Sequence, residues 1–224
     1  MLKIKIKLDL EKDAWNWWDA CNKISNGVDW KNRIEENLQK KIVNKTKKQA
    51  FNFLLPYLQR YYYSKNIQLY INDIQKGFTN YSNKIFLRTQ KITGKPILQK
   101  NFTLFLTSFP RLPYVYDKGY IWISDKKTLP YQLEIFIHEL LHFQYFQYFG
   151  EGVWNKLGAK GHADIKEAMT VIINEEFSDI THVKDEGYEI HKNLRKKLLE
   201  IWLSCKNMDE FMNQAILYYK KNGL

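Results

Sequence analysis

Hydrophobic and polar positions alternate at the start of the chain. Leu2, Ile4, Ile6 and Leu8 are separated by Lys3, Lys5 and Lys7, a period of two that predicts a β-strand over residues 2–8. The period then lengthens. Residues 13–21, with Trp15, Trp17 and Trp18, read as a short helix that Asn26-Gly27 breaks. Asp29 is placed to cap a following helix through Trp30, Ile34 and Leu38. Helical spacing continues through Ala50 and Phe51 to Tyr63, with a kink or break expected near Pro56. Another helix is expected from about Ile67 to Phe78, extensible to Leu87. Trp and Tyr at helical spacing read as core and boundary residues, a base-stacking platform being the other option.

Thr93-Gly94-Lys95-Pro96 is a loop and the best internal boundary. It separates a basic, mainly helical region, 1–100, from a second region, 101–224, the two forming one compact unit. Past it the period shortens again. Residues 102–107 read as a strand, and Tyr114-Val115-Tyr116 and Tyr120–Ile123 as a hairpin joined by Asp117-Lys118-Gly119, a strand meander whose edge could hold an extended peptide. Thr128 and Pro130 then open a strongly apolar helix, expected from Leu129 to Phe149 and stopped by Gly150 and Gly152. A loop over 150–162, a helix from about Asp164 through Phe177, and helices over about 189–204 and 208–221 complete the chain. The fold class is α+β.

Composition narrows the classes. With 45% hydrophobic and 16% aromatic residues, the 224-residue chain can bury a large core. It contains no apolar run of about 18 residues that would span a membrane, and its first residues lack the apolar region of a signal peptide. Cys21 and Cys205 offer neither a disulfide framework nor a cysteine metal spacing, so a cytoplasmic location is expected. The charge is uneven: residues 1–100 carry 20 Lys and Arg against 8 Asp and Glu, whereas residues 101–224 carry 15 against 16. A basic half can attract nucleic acid, an anionic surface or acidic peptide, but solvated lysine-rich helix faces are the preferred explanation, since charge asymmetry alone is weak evidence for a partner.

The chemistry concentrates in the apolar helix. All five histidines lie at or beyond it, and His138-Glu139-Leu140-Leu141-His142 has the form His-Glu-x-x-His. Residues four apart share a helix face, so His138 and His142 can aim two imidazoles at one point beside Glu139. Two neutral imidazoles suit Zn²⁺, and an adjacent carboxylate can take a proton from a water the metal activates. A catalytic zinc needs a third protein ligand. A histidine six residues after the second is excluded, since that position is Tyr148. Glu167, 25 residues after His142, is the better choice, with Glu175, Asp164 and His162 as alternatives. Asp164-x-x-Glu167 also has the form of a helix capping box, which needs no metal.

Two segments, His138–Phe146 and Lys166-Glu167-Ala168-Met169, resemble the gluzincin clan of zinc metallopeptidases, in which a glutamate on a second helix follows the His-Glu-x-x-His helix. Locally they are similar to peptidases of the angiotensin-converting-enzyme type, and in size the chain is closer to the small minigluzincins. The resemblance covers about 40 residues; residues 1–100 match no family. It implies a zincin-like fold, with a small antiparallel or mixed sheet packed on the motif helix. It further implies that His138, His142 and Glu167 bind Zn²⁺ and that Glu139 is the general base. Gluzincins commonly draw an oxyanion donor, Tyr or His, from beyond the glutamate helix. This chain offers His182, Tyr188 and His191 there, with Tyr188 the first choice and His191 the second. One position departs from the pattern: many gluzincins carry an aspartate four residues after the ligand glutamate, and here it is Val171, with Thr170 or Asn174 as substitutes. Glu175 and Asp179 do have that glutamate–aspartate spacing.

The expected activity is zinc-dependent hydrolysis of a peptide or protein substrate. The rivals are a regulatory or non-catalytic zincin-like protein and a nucleic-acid-associated protein using the basic half.

Overall fold

A computed structural model describes residues 3–25 and 27–222; Leu2 and Asn26, read above as part of a strand face and of a helix stop, lie outside them. The residues group into two compact units, Met1–Asn80 with Gln99–Gln132, and Tyr81–Leu98 with Leu133–Leu224. The boundary drawn at residue 100 falls beside one of the three points where the chain passes from one unit to the other. The architecture is α+β, mostly helical with a small mixed sheet.

The first unit contains β1 (Lys3–Lys7), α1 (Leu10–Cys21), a two-stranded ribbon of β2 (Ile24–Ser25) and β3 (Val28–Asp29), α2 (Glu36–Ile42), α3 (Lys47–Tyr63), the start of α4 (Ile67–Thr93), β4 (Asn101–Thr107), β5 (Tyr114–Val115) and β6 (Tyr120–Ser124). The sheet order is β1-β4-β6-β5. β1 and β6 each pair in parallel with β4, and only β5 and β6 run antiparallel, so the strands form no simple meander. Pairing of β1 with β4, with Ile6 opposite Leu104, draws the later strands into the same unit as the N-terminal residues. The hairpin lies where the sequence placed it; Gly119, at φ +63°, closes its turn in a conformation that other residues adopt at a cost. The outer edge of β1 is closed by a side chain. Gln75 accepts from the Ile6 N–H at 3.0 Å and donates to the Ile4 carbonyl at 3.1 Å, imitating a neighbouring strand.

Behind the sheet, α1 packs on α3 around Ala14, Trp17, Leu54, Leu58 and Tyr62. Asp13 is fully buried there, and accepts from Tyr62 OH at 2.7 Å, Ser108 Oγ at 2.9 Å and Thr107 Oγ1 at 2.5 Å. Asp9 caps α1 by accepting from the Lys12 N–H. Asp29, expected to cap a helix, makes no side-chain cap; a 3-10 turn, Trp30–Arg33, follows it instead. The break expected at Pro56 is absent, because α3 runs through it. Pro56 and Asn52 are both exposed, so water can serve the carbonyl that the proline leaves without its N–H partner.

The second unit holds the end of α4, then α5 (Leu129–Tyr148) from Leu133 onward, α6 (Gly150–Ala168), α7 (Ile173–Glu176), α8 (Ser178–Thr181), α9 (Lys192–Ser204) and α10 (Met208–Lys221). The loop expected over 150–162 is helical apart from Gly158, whose φ of +70° and ψ of −172° divide α6 into two segments across a kink. Continuous helix through 164–177 is also replaced: α6 ends at Ala168 and a 3-10 turn, Met169–Ile172, leads into α7. α9 packs on that turn, and α10 on α6 and α9. No helix among the described residues is long and apolar enough to cross a membrane.

Candidate metal centre

α5 is apolar on nearly every face, with Phe136, Ile137, Leu140 and Leu141 fully buried. Such a helix carries its few polar side chains into the interior with it. The ring centroids of His138 and His142 lie 4.5 Å apart, as the four-residue spacing requires. Glu167, in the last turn of α6, meets them: its Oε2 is 3.8 Å from His138 Nε2 and 3.7 Å from His142 Nε2. These three donor atoms lie within 4.8 Å of one another.

The spacing fits a shared ion. A direct hydrogen bond would draw each nitrogen to about 2.7–3.2 Å from the oxygen, whereas a tetrahedral zinc with bonds of about 2.0–2.1 Å holds its donors about 3.3 Å apart. The chemistry of the donors agrees, since two imidazoles and a carboxylate form one of the established catalytic zinc sets. Both tautomers also suit. His138 Nδ1 is 3.1 Å from Asp185 Oδ2, and His142 Nδ1 is 3.1 Å from Glu139 Oε2. Carboxylates at neutral pH only accept, so each Nδ1 carries a hydrogen, and each Nε2, the ring atom that faces Glu167, is the one a metal would bind in place of a proton.

Charge is balanced locally. Burial acts most strongly on Glu167 and pushes its pKa up, but the two histidines and Lys166 outweigh it and hold the group well below the usual carboxylate range. Lys166 donates to Glu167 Oε1 at 2.5 Å, so the two oxygens of Glu167 serve different partners. Burial pulls His138 down, yet Asp185, Glu167 and Glu139 together lift it well above its ordinary value. His142 is lowered, by burial and then by Lys166 and His138. Glu134, one turn before His138, is pushed up to about 7 by burial and by the charges of Asp185 and Glu139.

The other expected residues are placed as follows. Glu175 is exposed, and Asp179, which shared its spacing, pairs with Arg88 and Lys84. His162 Nδ1 lies near the Gly150 carbonyl and Tyr145 OH. Asp164 is interior to α6 and binds His191 Nε2 and Tyr219 OH, so it does not form the capping box with Glu167. Tyr188 packs edge-on against His191, ring centroids 6.2 Å apart, and His191 is buried. His182 is exposed at the end of α8.

The position where the resemblance expects an aspartate is Val171, and a different carboxylate reaches the histidine. Asp185, 18 residues beyond Glu167, is the carboxylate on His138. Neither proposed substitute takes that place: Thr170 bonds to the Glu167 carbonyl, and Asn174 brackets the backbone of Asp185, donating to its carbonyl at 3.0 Å and accepting from its N–H at 2.8 Å. Sequence reasoning missed Asp185, Lys166 and Glu134. Asp185 stands in a stretch without helical or strand period, whereas the adjacency of Lys166 to Glu167 and the four-residue spacing of Glu134 from His138 were available signals. No protein family, curated protein or solved structure matches this chain.

Proposed function

We propose that this chain is a zinc-dependent metallopeptidase of the gluzincin type, with a zincin-like arrangement of its metal helices. The carrying observation is the convergence of His138 Nε2, His142 Nε2 and Glu167 Oε2. Zinc held by these atoms would polarise a scissile carbonyl and make a water acidic enough to attack near neutral pH. Glu139, next to His138 on α5, would accept the proton of the attacking water and deliver it to the departing amine. Asp185 fixes the His138 tautomer and ring orientation. Lys166 occupies Oε1 of Glu167, directing the other oxygen to the histidines. Tyr188 and His191 are the side chains proposed to donate to the developing oxyanion.

One observation favours a second reading, a protein that binds metal without catalysis: Oε2 of the proposed base is already engaged by His142 Nδ1. A regulatory protein that cleaves a single partner shares this site.

The test is to measure zinc content and peptide-library cleavage for the wild type and Glu139→Gln. Zinc in both with cleavage only by the wild type is expected. A wild type without zinc overturns the proposal; equal cleavage by both removes Glu139 as the base, and zinc without cleavage by either selects the second reading.

A further inference from the structure

Arg195 is a buried cation with no part in the chemistry set out above. It lies on α9, is 4% exposed, and reaches both chain segments that build the metal centre. Its Nη1 donates to Thr170 Oγ1 at 2.7 Å and to the Glu167 carbonyl at 3.3 Å. Its Nη2 donates to the Asp185 carbonyl at 2.5 Å and lies 3.4 Å from Asp185 Oδ2. One guanidinium therefore touches the backbone of the third ligand and both backbone and side chain of the residue that orients the first.

We infer that Arg195 is a positioning residue for the metal centre, tying the Glu167 turn to Asp185. This rests on the proposed metal-binding role. The two segments approach the ion from different parts of the chain, with no strand pairing or helix continuity between Glu167 and Asp185 to hold them in register. The planar fork of arginine offers several donors in fixed directions, whereas a lysine presents a single rotatable ammonium. The segment is shaped to accept it: Gly187 stands at φ +65°, its N–H donates to Asp185 Oδ1 at 3.0 Å, and a Cβ there would lie 2.7 Å from the Arg195 guanidinium. A buried charge is costly unless paired and hydrogen-bonded, and here the pairing is spent on the residues around the ligands rather than on the surface.

The experiment compares wild type, Arg195→Lys and Gly187→Ala. Zinc affinity is measured by competition with a chromophoric chelator, metal-free folding by circular dichroism and thermal unfolding, and the His138 tautomer by ¹⁵N NMR of the zinc-loaded protein. The expected result is a folded metal-free variant whose zinc affinity falls about 10- to 100-fold, the size typical of lost ligand-orienting contacts, with a changed His138 Nδ1–H signal. A merely structural arginine would lower thermal stability and leave the affinity of the folded protein unchanged. Unchanged affinity in either folded variant overturns the inference. If neither folds, the near-isosteric Thr170→Val, which removes an acceptor of Arg195, decides by the same criterion. A wild type that binds no zinc fails at an earlier point and overturns the metal-site reading itself.

Discussion

His138 Nδ1 lies 3.1 Å from Oδ2 of Asp185, a residue 47 positions away in sequence. The contact leaves Nε2 of the histidine facing Glu167 Oε2. Asp185→Ala should therefore lower zinc affinity about 10- to 100-fold, while Asp179→Ala, which removes only an exposed pair with Arg88 and Lys84, should not. Chelator competition on both variants checks this; equal losses would count against Asp185 as the orienting group.

Zinc binding should release protons and strengthen as pH rises. His138 is held above its ordinary value in the metal-free protein, and a ligand must lose its proton before it binds. Calorimetric titration in two buffers of different ionisation enthalpy reads the proton count. An affinity that falls between about pH 6 and 8 would contradict the expectation.

The same groups set the pH response of the metal-free fold. A raised histidine contributes stability that is complete below its unfolded value near 6.5 and is lost as pH rises through its folded value. Glu134, raised to about 7, adds a loss in the same direction between its ordinary 4.5 and about 7. The lowered His142 acts oppositely and only on the acid side, costing stability as pH falls below 6.5. Metal-free protein should therefore lose stability toward alkaline pH, and zinc should reduce the loss. Thermal unfolding from about pH 6 to 9, with and without zinc, measures it; a metal-free stability that rises across that range would be inconsistent.

Asp13 should be among the most sensitive positions of the first unit. It is fully buried and collects Tyr62, Ser108 and Thr107. Asp13→Ala leaves four buried donors unserved, the Ser108 N–H among them, and should cost about 3 kcal/mol or more, whereas Tyr62→Phe, which deletes one donor, should cost about 1–2 kcal/mol. Denaturant titration compares the two, and a smaller effect for Asp13→Ala would be the contrary outcome.

Gly158→Ala should cost about 1–3 kcal/mol from backbone strain alone. Its φ and ψ belong to a region open almost solely to glycine, and no atom lies within 4 Å of the added Cβ, so no clash contributes. If the thermal midpoint is unchanged, the kink in α6 does not depend on this residue.

Local patterns carried much of the fold. The strand over β4, the hairpin of β5 and β6, the motif helix and the two C-terminal helices were all legible, because each is written in a hydrophobic period or a turn signal that neighbouring residues read together. The start of α6 was not. Gly150 and Gly152 carry a helix-stop signal, yet helix resumes at Gly150 and the chain departs from it at Gly158. The parallel pairing of β1 with β4 was equally hidden, since the two strands are joined by roughly ninety residues and nothing local specifies the partner.

The candidate site divides along the same line. His138, Glu139 and His142 sit on one helix, and the 3.6-residue turn alone brings them together. Glu167 followed as the carboxylate of suitable spacing, and its position opposite both histidines depends on how α6 returns past α5. Asp185 and Arg195 were decided only by tertiary structure. One stands in a non-periodic segment and the other on a helix whose pattern marks it simply as charged, and their meeting at the candidate metal centre depends on long-range packing that no short stretch of sequence encodes.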